Sequence, residues 1–552
     1  MKKILLLCLI MLGAITKISG QENRDFSAGI ESNSQYYVDD PKTGDFLEDD
    51  RFRSNNYIRL DYFILNFYVG AQLESYAPDA LLNYAPGFNE TNITLYYAGY
   101  KTEKIEATVG HFYEQFGSGL ILRSWEDRQL GINNAFRGGR IKYAPSSAFD
   151  FTAFYAKQRD GFDVSEGDIY AFNSEVNISD LLESENYSLG LEFSYVGRQQ
   201  DKPDVDPNTP EFNTLTNAFS GRLDYSKGNF FSSIEYIHKS KDAIIQFGQI
   251  LNAKTGNALQ IDLSYAKKGL GINGTFRRLE NMSFFSDRNS VGNDFNSNVM
   301  NYVPGLTKQH DYLLTNIYVY QGQPQVSFQG SSLMKVGEIG GQIDVFYQFK
   351  KKTALGGKYG TKIAMNYSYW AGLKGNYDFD NFDYVTEFLG FGERYFTDFN
   401  IEFRKKWSRN WSSIFYYINQ YYNQRYVEET FGKVHANIAV AESTYKMSGG
   451  KSLRFELQYL WTKDDRKNWI GGTVEFNVNS RWSFYVNDIY NYGSDDPTEK
   501  IHYYNIGSGY VFGANRFALN YGRQRGGLIC VGGVCRFVPE SNGFTANLIL
   551  TF

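Results

Sequence analysis

Side chains of opposite character alternate one by one along stretch after stretch of this chain. Between Tyr57 and Tyr62, Ile58 and Leu60 fall on one side with Tyr62, and Arg59 and Asp61 on the other. Leu259, Ile261, Leu263 and Tyr265 alternate with Gln260, Asp262 and Ser264, and Leu453, Phe455, Leu457, Tyr459 and Trp461 with Arg454, Glu456 and Gln458. Successive side chains of a strand point to opposite faces, so each segment is a strand with one apolar and one polar face. In a soluble sandwich the apolar faces would meet in a core. Here the segments are too many and the polar faces too heavily charged. A barrel in lipid reverses the arrangement, apolar outside and wet or salt-bridged inside. Closure also removes strand edges, which hydrocarbon cannot satisfy.

Composition agrees. The chain has 44 Tyr, 44 Phe and 53 Gly but only 11 Pro. Tyr and Phe favour strands and membrane interfaces, and Gly serves turns and crowded barrel positions. Mean hydropathy is only −0.44, as a barrel allows, because only alternate residues meet lipid. A formal net charge of −5 argues against a nucleic-acid partner.

Residues 1–20 read as a secretory signal: Lys2 and Lys3, an apolar run from Ile4 to Leu12, then small residues up to a cut near Gly20. Cys8 lies within the run and leaves with it. Residues 21–552 read as one transmembrane barrel domain. Tight connections are expected at Leu65-Asn66, Glu103-Lys104, Ser146-Ser147, Lys227-Gly228, Lys268-Gly269, Arg409-Asn410, Asn479-Ser480 and Gly513-Ala514. Long ones are expected at Asp39–Arg53, Gly197–Asn217, Asn281–Asp311, Leu373–Arg394 and Arg525–Asn542. Short periplasmic turns and long extracellular loops are the asymmetry of outer-membrane barrels. The fold expected is all-β, a large antiparallel transmembrane barrel of about 22–24 strands, with the stretch 281–340 open by one hairpin. Phe544, Leu548, Leu550 and Phe552 line one face of the last strand. That pattern is similar to the C-terminal signal by which barrel-assembly machinery takes up its clients.

The segment from Phe112 to Arg140 breaks the strand rhythm. It mixes Glu114, Arg123, Glu126, Asp127, Arg128, Arg137 and Arg140 with Leu120, Ile121, Leu122 and Trp125. Its apolar residues need burial, so the loop is expected to fold into the lumen. It either narrows a pore or merely braces the wall through ion pairs. The wall itself is assigned Arg59, Asp61, Arg222, Asp224, Asp262, Asp344, Glu402, Arg404, Arg454 and Glu456, joined by Glu475. Both signs are present, which fits a weakly selective pore or a cross-braced interior rather than a one-sign filter.

Export makes a disulfide the default for Cys530 and Cys535, since Val531-Gly532-Gly533-Val534 can turn sharply enough. The five histidines, His111, His238, His310, His435 and His502, have no ligand spacing, and no nucleophile elbow occurs. The expectation is a non-enzymatic protein without metal or cofactor. Tyr416, Tyr417, Tyr421, Tyr422, Trp407 and Trp411 fit interfacial girdles, with carbohydrate stacking in the outer loops as the alternative.

Two stretches, FYEQFGSGLILRSWEDRQLGINNAFRGGR (112–140) and YGRQRGGLICVGGVCRFVP (521–539), resemble a family of uncharacterised outer-membrane barrels from Bacteroidota. The resemblance implies the fold, the outer membrane and the closed Cys530–Cys535 ring, but no substrate and no catalytic residue. Some barrels of that phylum are accessory subunits of larger outer-membrane complexes, including the barrel-assembly machinery. Two functions follow: a porin-like or substrate-conducting channel, or a non-conducting accessory subunit. The partners expected are outer-membrane lipid, the assembly machinery with this chain as its client, and, for the second function, a larger outer-membrane complex.

Overall fold

A computed structural model describes residues 24–46, 50–82, 84–202, 210–246, 249–289, 298–329, 332–430, 432–531 and 533–552; the expected signal, with Cys8, lies outside them. Among the described residues, 24 strands form one antiparallel sheet closed into a barrel. Each strand pairs with the next, and the first, Arg24–Tyr37, closes the ring against the last, Ser541–Thr551, with Gly29 opposite Thr551 and Tyr37 opposite Gly543. A two-residue strand, Asp163–Val164, lengthens one hairpin.

The alternation decides which way each strand faces. On Ser452–Trp461, Phe455 and Leu457 are exposed on the outer surface, whereas Glu456, Gln458 and Leu460 are buried toward the lumen. Phe544 and Ile506, on the two strands that flank Asn515–Gln524, continue the apolar outer band. Trp407 and Trp411 ring its short-turn end. This inside-out distribution suits a wall whose outer solvent is hydrocarbon.

The connections alternate in length as expected, with two corrections. First, Leu373–Arg394 is not a loop. Strands Thr361–Asp378 and Asp383–Lys406 run on past the other strands and reverse only at 379–382. Asp378, Asp380, Asn381 and Asp383 look like loop residues in sequence, but tertiary bonds hold the projecting hairpin extended: Lys254 pairs with Asp383, and Arg278 Nε donates to the Phe388 carbonyl at 2.6 Å. Second, the stretch 281–340 adds no hairpin to the barrel. Strand Leu270–Glu280 pairs directly with Gly337–Phe349, and the chain between them turns inward, with one small hairpin, Ser327–Gln329 with Leu333–Lys335.

Candidate functional site

A barrel of this many strands encloses a lumen too wide for wall side chains to fill, so the interior is either an aqueous pore or occupied by the chain itself. Here three segments enter it: 113–135, 281–336 and 525–540. The first descends from strand Ile105–Phe112. Gly117 adopts φ +53°, and a Cβ there would lie 2.5 Å from the Glu235 carboxylate. Glycine therefore lets the backbone approach the wall, where Gly117 N donates to Glu192 at 2.7 Å and Ser118 N to Glu235 at 3.1 Å. Phe116, Leu120, Ile121 and Leu122 are buried behind that turn against Phe136 and Phe154. Burying such side chains contributes roughly 1.5–3 kcal/mol each.

The second segment is the largest. It passes Trp370, whose indole donates to the Leu306 carbonyl at 2.8 Å, and reaches its lowest point around Lys308–Tyr312, roughly half-way down the wall. It then climbs through Leu314, whose N–H donates to Gln458 at 2.8 Å, to Tyr318, bonded to Asp465 at 2.9 Å. Its anchor is Glu338, which takes bonds from Arg277 (2.6 Å), Tyr320 (2.5 Å) and the Gln323 N–H (2.9 Å). The Arg277 and Glu338 side chains are both 0% exposed.

The third segment carries the Cys530–Cys535 disulfide. The three interlock. Arg123 N donates to Met300 O at 2.7 Å, Tyr302 N to Gly119 O at 2.9 Å and Gly305 N to Gly533 O at 2.7 Å. Arg536 bonds the Leu130 carbonyl. They form one plug.

The residues singled out in 112–140 separate. Glu114 pairs with Arg140 (3.0 Å) and Lys142 (2.8 Å). Arg123 lies over the Tyr302 ring at 3.9 Å. Arg128 bridges Glu126 (3.0 Å) and Glu31 (2.6 Å), and Asp127 accepts from the N–H groups of Gln129 and Leu130. Arg137 is a correction: it sits on strand Phe136–Ser146 next to inward Phe136 and is exposed on the outer face. Arg140, an odd three residues further on, falls on the opposite face and points in.

The wall charges lie inside, mostly in pairs. Arg59 bonds Asp61 at 2.9 Å and Arg222 bonds Asp224 at 3.1 Å, while Glu402 bonds Arg404. Arg454 joins Glu456 (2.8 Å), Glu475 (3.2 Å) and Glu442 (3.4 Å). Asp262 accepts from Thr275 at 2.6 Å, and Asp344 faces Lys308 of the plug at 3.4 Å. The aromatic girdle needs correcting as well. Tyr417 and the two tryptophans are exposed on the outer face. Tyr416 and Tyr422 are buried inward against the plug, and Tyr421 is covered by the Arg394 guanidinium at 3.5 Å.

Sequence reasoning missed the larger plug segment. The available signal was a set of inward apolar positions: Ile418, Val434, Ala436, Ile438, Val440, Leu460 and Trp469, all buried against it. On strand Lys433–Lys446 the outward neighbours are His435, Asn437 and Ala439, so polarity there is the reverse of the lipid pattern.

The plug does not cover the whole wall. Between its 307–316 part and the strands that close the ring lies a cleft of about 700 Å³. It runs from Gln309 and Asp311 at the lower end to Arg525 and Ser541 at the upper, along Gln35, Asn487, Asn505, Asn520 and Thr545.

The model of a family described only as a family of unknown function, DUF6029, matches residues 1–552. No curated protein matches this chain. Among solved structures, it is similar to a BenF-like porin from Pseudomonas fluorescens Pf-5 (8% identity, 96% of this chain and 98% of that one, TM-score 0.35). It is also similar to OccK11 (OpdR) of Pseudomonas aeruginosa (10%, 80% and 96%, 0.34) and to the PapC translocation pore of the P pilus usher (7%, 96% and 99%, 0.35).

Proposed function

This chain belongs to the family of unknown function DUF6029, and from that premise and the geometry of its lumen we propose that it is an outer-membrane channel with a built-in plug, in which solute passes beside the plug rather than through an axial pore. One observation carries the reading: the cleft of about 700 Å³, which reaches from the half-way level of the wall to the long-loop end. Over much of the rest of that height the described parts of plug and wall pack through buried side chains. Below the plug, the paired charges of Arg59, Arg222, Arg404 and Arg454 line a wet vestibule of mixed sign.

A second reading, a non-conducting subunit of a larger outer-membrane complex, is favoured by the filled lumen itself. Planar-bilayer recording separates the two. The wild type is expected to pass a small steady current. A variant with 307–316 replaced by a short Gly/Ser linker is expected to pass one several-fold larger. A wild type that passes neither current nor an uncharged solute, beside a conducting linker variant, would move the assignment to the non-conducting subunit.

A further inference from the structure

The sector of wall that faces the cleft differs in chemistry from the rest of the lumen. Lumen-facing positions alternate, and on strand Trp482–Asn491 they are Ser483, Tyr485, Asn487, Ile489 and Asn491. On His502–Phe512 they are Tyr503, Asn505, Gly507, Gly509 and Val511. On Asn515–Gln524, above Arg516 at the short-turn rim, they are Ala518, Asn520, Gly522 and Gln524. On the last strand they are Ser541, Gly543, Thr545, Asn547 and Ile549. Above Arg516 none of these carries a charge, whereas the rest of the described wall carries inward charges on most of its strands, many of them in ion pairs.

Charge near the cleft is turned away or kept to its ends. The Lys308 ammonium turns to Asp344 (3.4 Å), and Arg523 is held by Asp40 (2.6 Å). Asp311 stands at the lower end. Arg525, at the upper, donates to the Asn316 carbonyl at 2.7 Å. Between these ends the wall offers side-chain amides. Asn505 accepts from Tyr485 at 3.3 Å. Asn487 and Asn520 have no side-chain hydrogen bond among the described residues and are half-buried in the lining. A carboxamide presents donors and an acceptor together, so a row of them recognises a solute that is hydrogen-bonding but uncharged. The wall is also kept thin. A Cβ at Gly507 would lie 2.6 Å from the Tyr485 ring, so glycine lets that ring lie flat instead of standing out into the lumen.

We infer that the cleft is a binding path for neutral, hydroxyl-rich solutes of saccharide type, with Asn487, Asn505 and Asn520 as its specificity-determining side chains. This deepens the channel reading and rests on it. The chemistry is that of amides matched to hydroxyl groups: each can donate to one oxygen and accept from another, while an ion entering the cleft would lose water with no opposite charge to replace it.

The test is osmotic swelling of proteoliposomes with sucrose as the neutral probe and sodium gluconate and arginine hydrochloride as charged ones, alongside bilayer current on the same preparation. Sucrose is expected to enter about fivefold faster than either charged probe. In N505D/N520D, sucrose entry is expected to fall several-fold while arginine entry rises. N505S/N520S, which keeps hydrogen bonding and adds no charge, is expected to stay near wild type and guards against misfolding in the aspartate variant. Ionic current without sucrose entry would overturn the solute class and leave the channel standing. Neither current nor swelling would overturn the channel reading, and this inference with it.

Discussion

The wall from Gly337 round to Trp469 and the wall from Trp482 round to Tyr37 enclose the same lumen under opposite rules. The first is covered. At the height of the plug its inward positions are mostly apolar, with Trp370, Ile418, Ile438, Leu460 and Trp469 fully buried around a few polar anchors such as Glu338 and Gln458, and it is charged below. The second, apart from Glu31 and the rim residue Arg516, presents neutral, glycine-rich inward positions, and the 307–316 part of the plug stands off from it. Antiparallel pairing supports both, so the difference in covering lies chiefly in the inward side chains. A plug attached firmly to one side and loosely to the other leaves a path while keeping a barrel of this width from being an open hole. Four variants probe how independent the two sides are.

The largest effect is expected at the anchor of the covered side. Glu338 is fully buried and takes bonds from Arg277, Tyr320 and Gln323. Glu338→Ala strands the Arg277 guanidinium without a counter-charge, a loss of about 3–5 kcal/mol when one member of a buried pair is removed. The detergent-solubilised variant should unfold at a clearly lower temperature, and its bilayer current should become larger and noisier as 304–323 detaches. Asn487→Ala, on the bare side, should leave the unfolding temperature within error of wild type. Equal destabilisation by both would erase the distinction between the sides.

That distinction also divides what the sequence discloses from what it hides. Strands such as Ser452–Trp461 are readable because lipid and water impose opposite demands on alternate residues. The broken strand rhythm of 112–140 and its mixture of charge with Leu120, Ile121, Leu122 and Trp125 predicted an inward loop. The segment 281–336 has no period of its own. It is held by partners distant in sequence, such as Gln458 for Leu314 and Asp465 for Tyr318, and nothing local in sequence announces them. Inward Val434, Ala436, Ile438 and Val440 have the same character as lipid-facing residues, because a protein plug and a lipid tail make the same demand on a side chain. Periodicity gives the two faces of a strand but not which of them looks outward. The cleft escaped for a related reason: Asn487, Asn505 and Asn520 lie on separate strands, and only barrel closure makes them neighbours.

A smaller effect is expected where the plug meets the bare side. Leu528 and Cys530 line the cleft opposite Gln35 and Asn520, and the disulfide to Cys535 closes a short ring around a turn. By loop-closure entropy so short a ring contributes about 2 kcal/mol, all of it local to 525–540. Cys530→Ser/Cys535→Ser should therefore lower the unfolding temperature less than Glu338→Ala does. It should widen the cleft, read as a modest rise in current and faster sucrose entry. A rise in stability, or a closed channel, would mean that the ring strains the plug instead of holding it clear.

The smallest effect belongs to the charged vestibule below the plug. Arg222 and Asp224 pair at 3.1 Å with both side chains partly open to the lumen, and the Arg222 Nε also donates to Ser233 at 3.0 Å. An ion pair so open to water is worth about 0–1 kcal/mol, screened further by salt. Arg222→Ala should leave the unfolding temperature almost unchanged. Its signature is electrostatic. With Asp224 and Glu192 left uncompensated, the vestibule gains negative charge, so the reversal potential in a salt gradient should shift toward cations at 0.1 M and the shift should fade near 1 M. Sucrose entry, governed higher up by the amide-lined cleft, should not move. If it does, vestibule and cleft do not act in series, and the neutral sector is not the narrowest part of the path.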